Sequence, residues 1–376
     1  MLKRAVCTVI TKSYLAHARA LANSLFEHNA GVTLYVLLAD SVDGYFDPSN
    51  EPFELICLDS LADQDTVQAM SFYYTAFELC CALRGLLHEY MYEVVKAEKW
   101  LFLDSDIMVF SSLDCIFQQL DKSSILLSPH CKKPVDLEYA DPYEINLLNS
   151  GLYNAGFIGL HRDNNAKQFM DWFKGRLSLY GFADLHYGFT RGLFVDQKWL
   201  SLVPLYFANT GLLTEPGANL GHWNLYEHEL TVDSPNHFLV DGCPLLFVHF
   251  SGLDFNNRGK ISTHSKMYDA KDVPAWEMLA DIYYNNLLEC GYREAVNYPY
   301  SFSKFNSGEV IDRNSRKIYY ENINSEHFAE VSTFARSNAF FKNTVSTDNN
   351  FADSFRNRFI TKWRSYKSRL VNSIGL

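Results

Sequence analysis

The chain is expected to be an α/β protein, with a mostly parallel sheet and helices on both faces. Three observations predict this. Short apolar runs of strand length at residues 5–10, 32–39 and 53–58 alternate with segments whose apolar residues return at helical spacing. The run Trp100-Leu101-Phe102-Leu103 is wholly apolar, as a buried strand would be. The 376 residues are 48% hydrophobic and 15% aromatic, enough for a sizeable core in one large domain or two small ones.

Each element has its own signal. Residues 5–10 form a first strand, and Leu15, Ala18, Leu21, Ala22 and Leu25 then mark one face of a helix. A second strand over 32–39 ends at Asp40, and a third covers 53–58. Thr75-Ala76-Phe77-Glu78 has the form of a capping box, opening a long helix that runs to about Val95. A strand ending at Asp104 follows. Ligands of such sheets gather beyond the carboxyl ends of the strands, so Thr11, Asp40 and Asp104 are candidates for one cleft. Residues 129–149 are polar with several prolines and are expected to form a long loop, a candidate lid. Residues 154–160 read as a strand, 167–180 as a helix, 194–202 as a short amphipathic element and 245–250 as a late strand. Residues 290–350, rich in Asn, Ser, Tyr and Phe, yield no assignment. Residues 1–265 are expected to be the catalytic domain, and 266–350 a helical extension packed on it.

The charge balance excludes some classes. The 33 Lys and Arg against 44 Asp and Glu give a net charge of −11, which argues against a general nucleic-acid binder. No apolar run reaches the roughly 18–20 residues of a membrane span. The start, Met1-Leu2-Lys3-Arg4-Ala5-Val6-Cys7, shows no signal-peptide pattern. Eight cysteines without a Cys-x-x-Cys pair fit buried, reduced thiols and a cytoplasmic location. Residues 351–376 differ: Arg356, Arg358, Lys362, Arg364, Lys367 and Arg369 surround a stripe of Phe359, Trp363, Tyr366, Leu370 and Ile374. Such a segment suits a helix lying on anionic lipid, at the inner face of a membrane. It equally suits a terminal helix docked on the domain.

The chemistry is concentrated in Asp104-Ser105-Asp106, which closes the apolar run and is followed at once by apolar Ile107 to Phe110. Two carboxylates in such a place are costly without a cation. A hard divalent ion, Mg²⁺ or Mn²⁺, takes oxygen ligands and is often shared with substrate phosphates. The pair therefore suggests an enzyme holding a nucleoside diphosphate through a metal.

Four segments match one known pattern in order. They are Leu101-Phe102-Leu103-Asp104-Ser105-Asp106, Gly151-Leu152-Tyr153-Asn154-Ala155-Gly156-Phe157-Ile158-Gly159-Leu160, Phe194-Val195-Asp196-Gln197-Lys198-Trp199-Leu200 and Phe247-Val248-His249-Phe250-Ser251-Gly252. With them the chain resembles nucleotide-sugar glycosyltransferases of the GT-A (Rossmann-like) fold, those of family 8 and a related group from bacterial polysaccharide loci. The resemblance covers about residues 1–265.

That resemblance implies roles. Asp104, Asp106 and His249 would hold a divalent metal, with Asp104 and Ser105 also at the donor. Asn154, Ala155 and Gly156 would line the sugar pocket, Gly156 through close backbone approach; its alternative is a tightly packed neighbour. Asp196 would accept from sugar hydroxyls, and Gln197 would lie beside the anomeric carbon; otherwise the pair caps the next helix. Thr11, Lys12 and Tyr14 fall where the family grips the uridine, although its usual acidic residue is missing there. Arg84 occupies a position from which relatives reach the nucleotide. Gly252 belongs to the diphosphate step, and Arg258 or Lys260 would supply its cation, at a spacing that departs from the pattern. His222, Trp223 and Asn224 resemble a cleft-facing segment of the bacterial group; a structural loop is the alternative for Trp223.

The leading expectation is a hexosyl- or N-acetylhexosaminyl-transferase acting on a glycan, lipid-linked glycan or protein hydroxyl, with retention of configuration. An inverting enzyme needs a carboxylate base, for which Asp184, Asp196 and Asp254 stay open. A non-catalytic binding protein on the same fold is the second expectation. A nucleotidyltransferase fits less well, since Thr11-Lys12-Ser13-Tyr14 holds no glycine. No Gly-x-Ser-x-Gly or Cys/His signature supports a hydrolase.

Overall fold

The computed structural model describes residues 4–185, 192–265, 267–323 and 332–345, and divides into two units. The first comprises residues 1–64 and 77–300; the second comprises 65–76 and 301–376.

The first unit is built on a seven-stranded sheet of order β3-β2-β1-β4-β7-β6-β8. The strands are β1 (Arg4–Ile10), β2 (Thr33–Leu38), β3 (Glu54–Ile56), β4 (Lys99–Leu103), β6 (Ile125–Pro129), β7 (Tyr153–His161) and β8 (Thr210–Leu212). Only β7 runs against its neighbours β4 and β6, so the sheet is mostly parallel. The period of two along a strand sends successive side chains to opposite faces. On β4, Leu101 and Leu103 join the core with α1 (Leu15–His28) and α10 (Pro274–Glu289). Trp100 and Phe102 turn the other way, toward His88 of α4 (Arg84–Tyr90). A helix therefore covers each face, as the alternating sequence requires.

β4 is followed by a turn in which the Ile107 amide donates to the Asp104 carbonyl. The chain then enters β5 (Ile107–Val109), which pairs antiparallel with β12 (Phe247–His249). This two-stranded ribbon sets His249 directly opposite Ile107, one residue from Asp106. A third small sheet comprises β9 (Leu230–Ser234), β10 (His237–Val240) and β11 (Cys243–Pro244). Arg19 of α1 ties the end of the unit down. It pairs with Glu51 and donates to the Cys290 carbonyl, just before α11 (Tyr292–Ala295).

Two elements differ from expectation. The long helix over 75–95 is divided into α3 (Ala76–Ala82), α4 and a π-type turn (Met91–Val95). The expected loop 129–149 is partly helical: a 3₁₀ turn (Leu137–Tyr139), a π-type turn (Asp141–Ile145) and α6 (Asn146–Ser150). Its prolines misled the sequence reading. Pro142 sits in the first turn of its helical stretch, where its missing amide costs nothing.

The second unit gathers α2 (Gln64–Tyr73), α12 (Arg313–Asn322) and the helix Asn338–Val345. Its centre is a cluster of rings in which Phe72 meets Phe305, Tyr319, Phe334 and Phe341. The buried Arg316 guanidinium donates to the carbonyls of Phe72, Tyr74 and Phe302. No described helix is long and apolar enough to cross a membrane. The basic segment 351–376 lies outside the described residues.

Candidate metal centre and the cavities beside it

Asp104, Asp106 and His249 meet at the carboxyl end of the sheet, each offering one ligand atom within 4.8 Å of the others. The His249 Nε2 is 3.0 Å from Asp106 Oδ1 and 3.9 Å from Asp104 Oδ2. At bond lengths of about 2.1 Å, octahedral ligands lie roughly 3 Å apart when adjacent and 4.2 Å apart when opposite. The spacing and the two-oxygen, one-nitrogen donor set thus fit Mg²⁺ or Mn²⁺. Both carboxylates keep about a quarter of their side-chain surface open to solvent, so substrate can reach the site.

The backbone builds this centre. The Asp104 amide donates to the Gly156 carbonyl, and the Phe250 amide to the Asp106 carbonyl. Gly156 is required by its neighbour: a Cβ there would stand 2.3 Å from His249 Cε1. Gly156 thus packs tightly against its neighbour. Asn154 holds the ring from the other side. Its Oδ1 lies 3.3 Å from His249 Nδ1 and accepts from the Gly156 amide and from Asn219.

Charge coupling is strong here. Burial works against the His249 cation, but the Asp106 and Asp104 carboxylates outweigh it and raise the imidazole above its ordinary value. In return His249 holds Asp106 low against burial. Burial raises Asp104 despite the opposing pull of Arg84 and His249.

Arg84 is enclosed. Its guanidinium donates to Asp104 Oδ1 at 2.5 Å, to Asp196 Oδ2 at 2.7 Å and to the Ala155 carbonyl at 2.8 Å, lying 4.4 Å over the Phe102 ring. It links the metal-site carboxylate to the segment Asp196–Gln197 rather than opening to the cleft. Asp196 is buried at the N-terminal edge of α8 (Gln197–Leu200), but its side chain does not cap that helix. Burial raises its carboxyl against the Arg84 guanidinium. Before it, Val195 takes a left-handed φ of 40°, an outlier for a β-branched residue and a sign of local strain. Gln197 Oε1 accepts weakly from the Ala155 amide, and its Nε2 donates to the Ser150 carbonyl.

Two cavities adjoin the centre. The larger, about 690 Å³, is lined by Asn154 and Gln197, by His130, His222, Trp223 and His264, and by the helical stretch from Asp141 to Ser150. The buried Trp223 ring packs edge-on against His249 and His130. Asn224 closes the loop beneath it through the Gly221 amide and the Asn219 carbonyl. Burial pushes His130 down to about 4 and His222 down to about 3, so both are neutral at physiological pH. The smaller cavity, about 360 Å³, runs from Asp106, Ser13 and Tyr14 past Gly252 to α10 and α11.

The remaining candidates are placed as follows. Ser105 and Ala155 are buried beside the centre. The Thr11 hydroxyl lies 2.9 Å from that of Ser13. Lys12 is fully buried, its ammonium held by Asp40, Asp43 and the Ser41 carbonyl. Tyr14 is half exposed and its ring packs at a tilt against His17. Arg258 pairs with Asp281 and lies over Tyr284, while the exposed Lys260 pairs with Asp269 through a backbone β-bridge; neither lines either of these two cavities. The sequence reading missed His17, His130, Asn219 and Tyr283, since isolated residues of these types carry no spacing signal.

No family model matches the chain. It is 26% identical over 253 residues to the uncharacterized protein YfnF of Bacillus subtilis (strain 168), covering 66% of this chain and 81% of that protein. To YfnD of the same organism it is 26% identical over 249 residues, covering 65% and 76%. Similar solved structures include glycosyltransferases. One is GlyE of Streptococcus pneumoniae TIGR4, with a TM-score of 0.43 and 17% identity, covering 81% of this chain and 67% of GlyE. Another is the galactosyltransferase LgtC in complex with donor and acceptor sugar analogs, at 0.45 and 14%, covering 76% and 95%.

Proposed function

We propose that the protein is a metal-dependent glycosyltransferase that moves a hexosyl or N-acetylhexosaminyl group from a nucleoside-diphosphate sugar, a UDP-sugar first of all, to a hydroxyl of a glycan, lipid-linked glycan or protein. One observation carries this reading. Asp104, Asp106 and His249, far apart in sequence, converge beside a cleft that also holds Asn154 and Gln197. These are the residues the family resemblance singled out.

A bound Mn²⁺ or Mg²⁺ would supply charge to the leaving diphosphate. The residues around it have separable tasks. Asp104 divides its oxygens, one toward Arg84 and one toward His249. Arg84 thereby couples the position of the metal ligand to that of Asp196 and Gln197. The Gln197 amide, anchored through Ala155 and Ser150, presents a polar group to the sugar. Trp223 offers an apolar face to a pyranose ring.

The lining of the cleft supports retention as the reading. Inversion needs a carboxylate base near the acceptor. Among the described residues lining the cleft, Asp141 is the single carboxylate. Asp196 is bound to Arg84, and the Asp254 carboxylate accepts from the Asn256 amide in its own turn.

The test is release of nucleoside diphosphate from UDP-Glc, UDP-Gal, UDP-GlcNAc, UDP-GalNAc and GDP-Man, with Mn²⁺ or EDTA. Release from one donor, lost in EDTA, is the expected result. Metal-dependent UDP binding with no release for any donor or acceptor would make it a binding protein instead.

The basic tail belongs to the same reading. Its amphipathic pattern suits a peripheral anchor on anionic lipid, near lipid-linked acceptors. Truncation after Asp353 is expected to reduce co-sedimentation with anionic vesicles; equal sedimentation of both forms would remove the anchor.

A further inference from the structure

His249 can serve a metal only if the ring nitrogen that faces the carboxylates is free of its proton. That nitrogen is Nε2, 3.0 Å from Asp106 Oδ1 and 3.9 Å from Asp104 Oδ2. The other, Nδ1, faces inward, 3.3 Å from Asn154 Oδ1. A neutral imidazole has one N–H and one lone pair, and the partner of each nitrogen decides which is which. Whatever fixes the Asn154 amide therefore fixes the metal ligand.

Two donors fix that amide at its oxygen. The Gly156 amide donates to Asn154 Oδ1 at 3.1 Å, and Asn219 Nδ2 donates to it at 3.2 Å. A turned Asn154 would set its own NH2 against both N–H groups. At the far end Asn154 Nδ2 faces His130 Nε2 at 3.4 Å. Of the two donors, the Gly156 amide is backbone, whereas Asn219 supplies a side chain suited to the task. It is fully buried and takes a left-handed φ of 55°, a conformation that Asn enters more readily than most residues. Its neighbour is tied to β12: the Leu220 amide donates to the Phe247 carbonyl, and the His249 amide donates to the Leu220 carbonyl. Asn219 is thus held in register with the ligand it serves. Its Nδ2 spends both protons, one on Asn154 and one on Ser128 Oγ at 2.8 Å. Its own Oδ1 is buried with no hydrogen-bond partner among the described residues. Burying an unpaired amide oxygen is unfavourable, and an apolar side chain would avoid it. The two donations are what offset that cost.

Resting on the metal reading above, we infer that Asn219 is a positioning residue of the metal centre. Through Asn154 it holds the His249 proton on Nδ1 and keeps the Nε2 lone pair for the ion. Nε2 and Asp106 Oδ1 then face each other as two acceptors, a pair that a shared cation satisfies. Asn154 changes its role as well. Its Oδ1 meets three N–H groups with two lone pairs and has none left for a sugar hydroxyl.

Two measurements test this. Nitrogen-15 NMR of the metal-free protein, at a pH above the titration of the His249 ring, shows which nitrogen holds the proton; loss of signals in His249→Gln assigns them. Calorimetric titration gives the Mn²⁺ affinity. Both compare the wild-type protein with Asn219→Gly, which accepts the left-handed φ and removes the amide, and with Asn154→Asp, which keeps an acceptor opposite Nδ1. The wild-type proton is expected on Nδ1. Asn219→Gly is expected to bind Mn²⁺ roughly tenfold more weakly and to show the Nε2–H form beside the Nδ1–H form. Asn154→Asp is expected to keep the Nδ1–H form and to bind Mn²⁺ at least as tightly as the wild-type protein. A wild-type ring protonated on Nε2 would overturn the inference without any variant. Wild-type Mn²⁺ affinity in Asn219→Gly would also overturn it. So would weaker binding in that variant with the ring signals unchanged, since Asn219 would then only fill space. If the wild-type protein binds no Mn²⁺, the metal reading falls and the inference with it.

Discussion

The two cavities beside the metal centre are built in different ways. The larger one comes from strand ends and the helical stretch 141–150, with a hydrogen-bonded network behind it. Asn154, Asn219, Ser128 and His249 fix one another there by hydrogen bonds, and Arg84 locks Asp104 to Asp196. The smaller one comes from α1, α10, α11 and the segment after β12, and is held by ring packing. Hydrogen-bond networks over-determine the positions of their members, which suits groups that must meet a reacting centre. Ring packing sets a slot without dictating what fills its edge. On the proposed function, the hydrogen-bonded wall would serve the chemistry and the ring-packed wall recognition.

The sharpest way to break that contrast is at Gln197. If the hydrogen-bonded wall carries the reaction, Gln197→Ala should lower kcat by about 10²-fold, with little change in KM for the donor. Steady-state kinetics that show only a raised KM would move Gln197 to recognition and erase the distinction.

A smaller effect is expected from Gly156→Ala. The added Cβ would stand 2.3 Å from His249 Cε1 and displace the ring. Misplaced ligands typically cost about 10–100-fold in metal affinity. Mn²⁺ titration of the variant checks this; wild-type affinity would mean that the ring has room to move.

The smallest effect concerns stability, and it should be common to both walls. Burial holds His130 at about 4 and His222 at about 3 in the larger cleft, and His17 at about 4 in the smaller cavity. The unfolded chain protonates these imidazoles near 6.5, so between that pH and about 4 it binds more protons than the folded chain. Stability is therefore lost as the pH falls through this window. The melting temperature should drop by a few degrees from pH 7.5 to pH 5.5. Melting curves in matched buffers decide the point, and a rise on acidification would contradict the burial of neutral rings.

The same contrast explains what could be read from the sequence. Asp104 and Asp106 announce themselves because carboxylates at the end of an apolar strand are expensive, and the alternating pattern places them at the ligand-binding edge of a mostly parallel sheet. The order of the four motif segments added Asn154, Gln197 and His249. The neighbours of these residues were not legible. The resemblance placed Arg84 near the nucleotide, but nothing in sequence showed that Asp104 and Asp196 enclose it. His17 and Tyr283 are separated by 266 positions on two helices whose apolar stripes read simply as core. The helical stretch from Asp141 to Ser150 was hidden by Pro142, which marks a helix start as readily as a loop.

The central claim is that Asp104, Asp106 and His249 hold a divalent metal, and it can be tested directly. Free Mn²⁺ gives a sharp electron paramagnetic resonance signal that is lost on binding, so titration of the protein counts sites and measures affinity. One site is predicted, absent in Asp106→Ala and weakened as the pH falls below neutral, because His249 must shed its proton to bind. An Asp106→Ala variant that binds Mn²⁺ as the wild-type protein does would contradict the account.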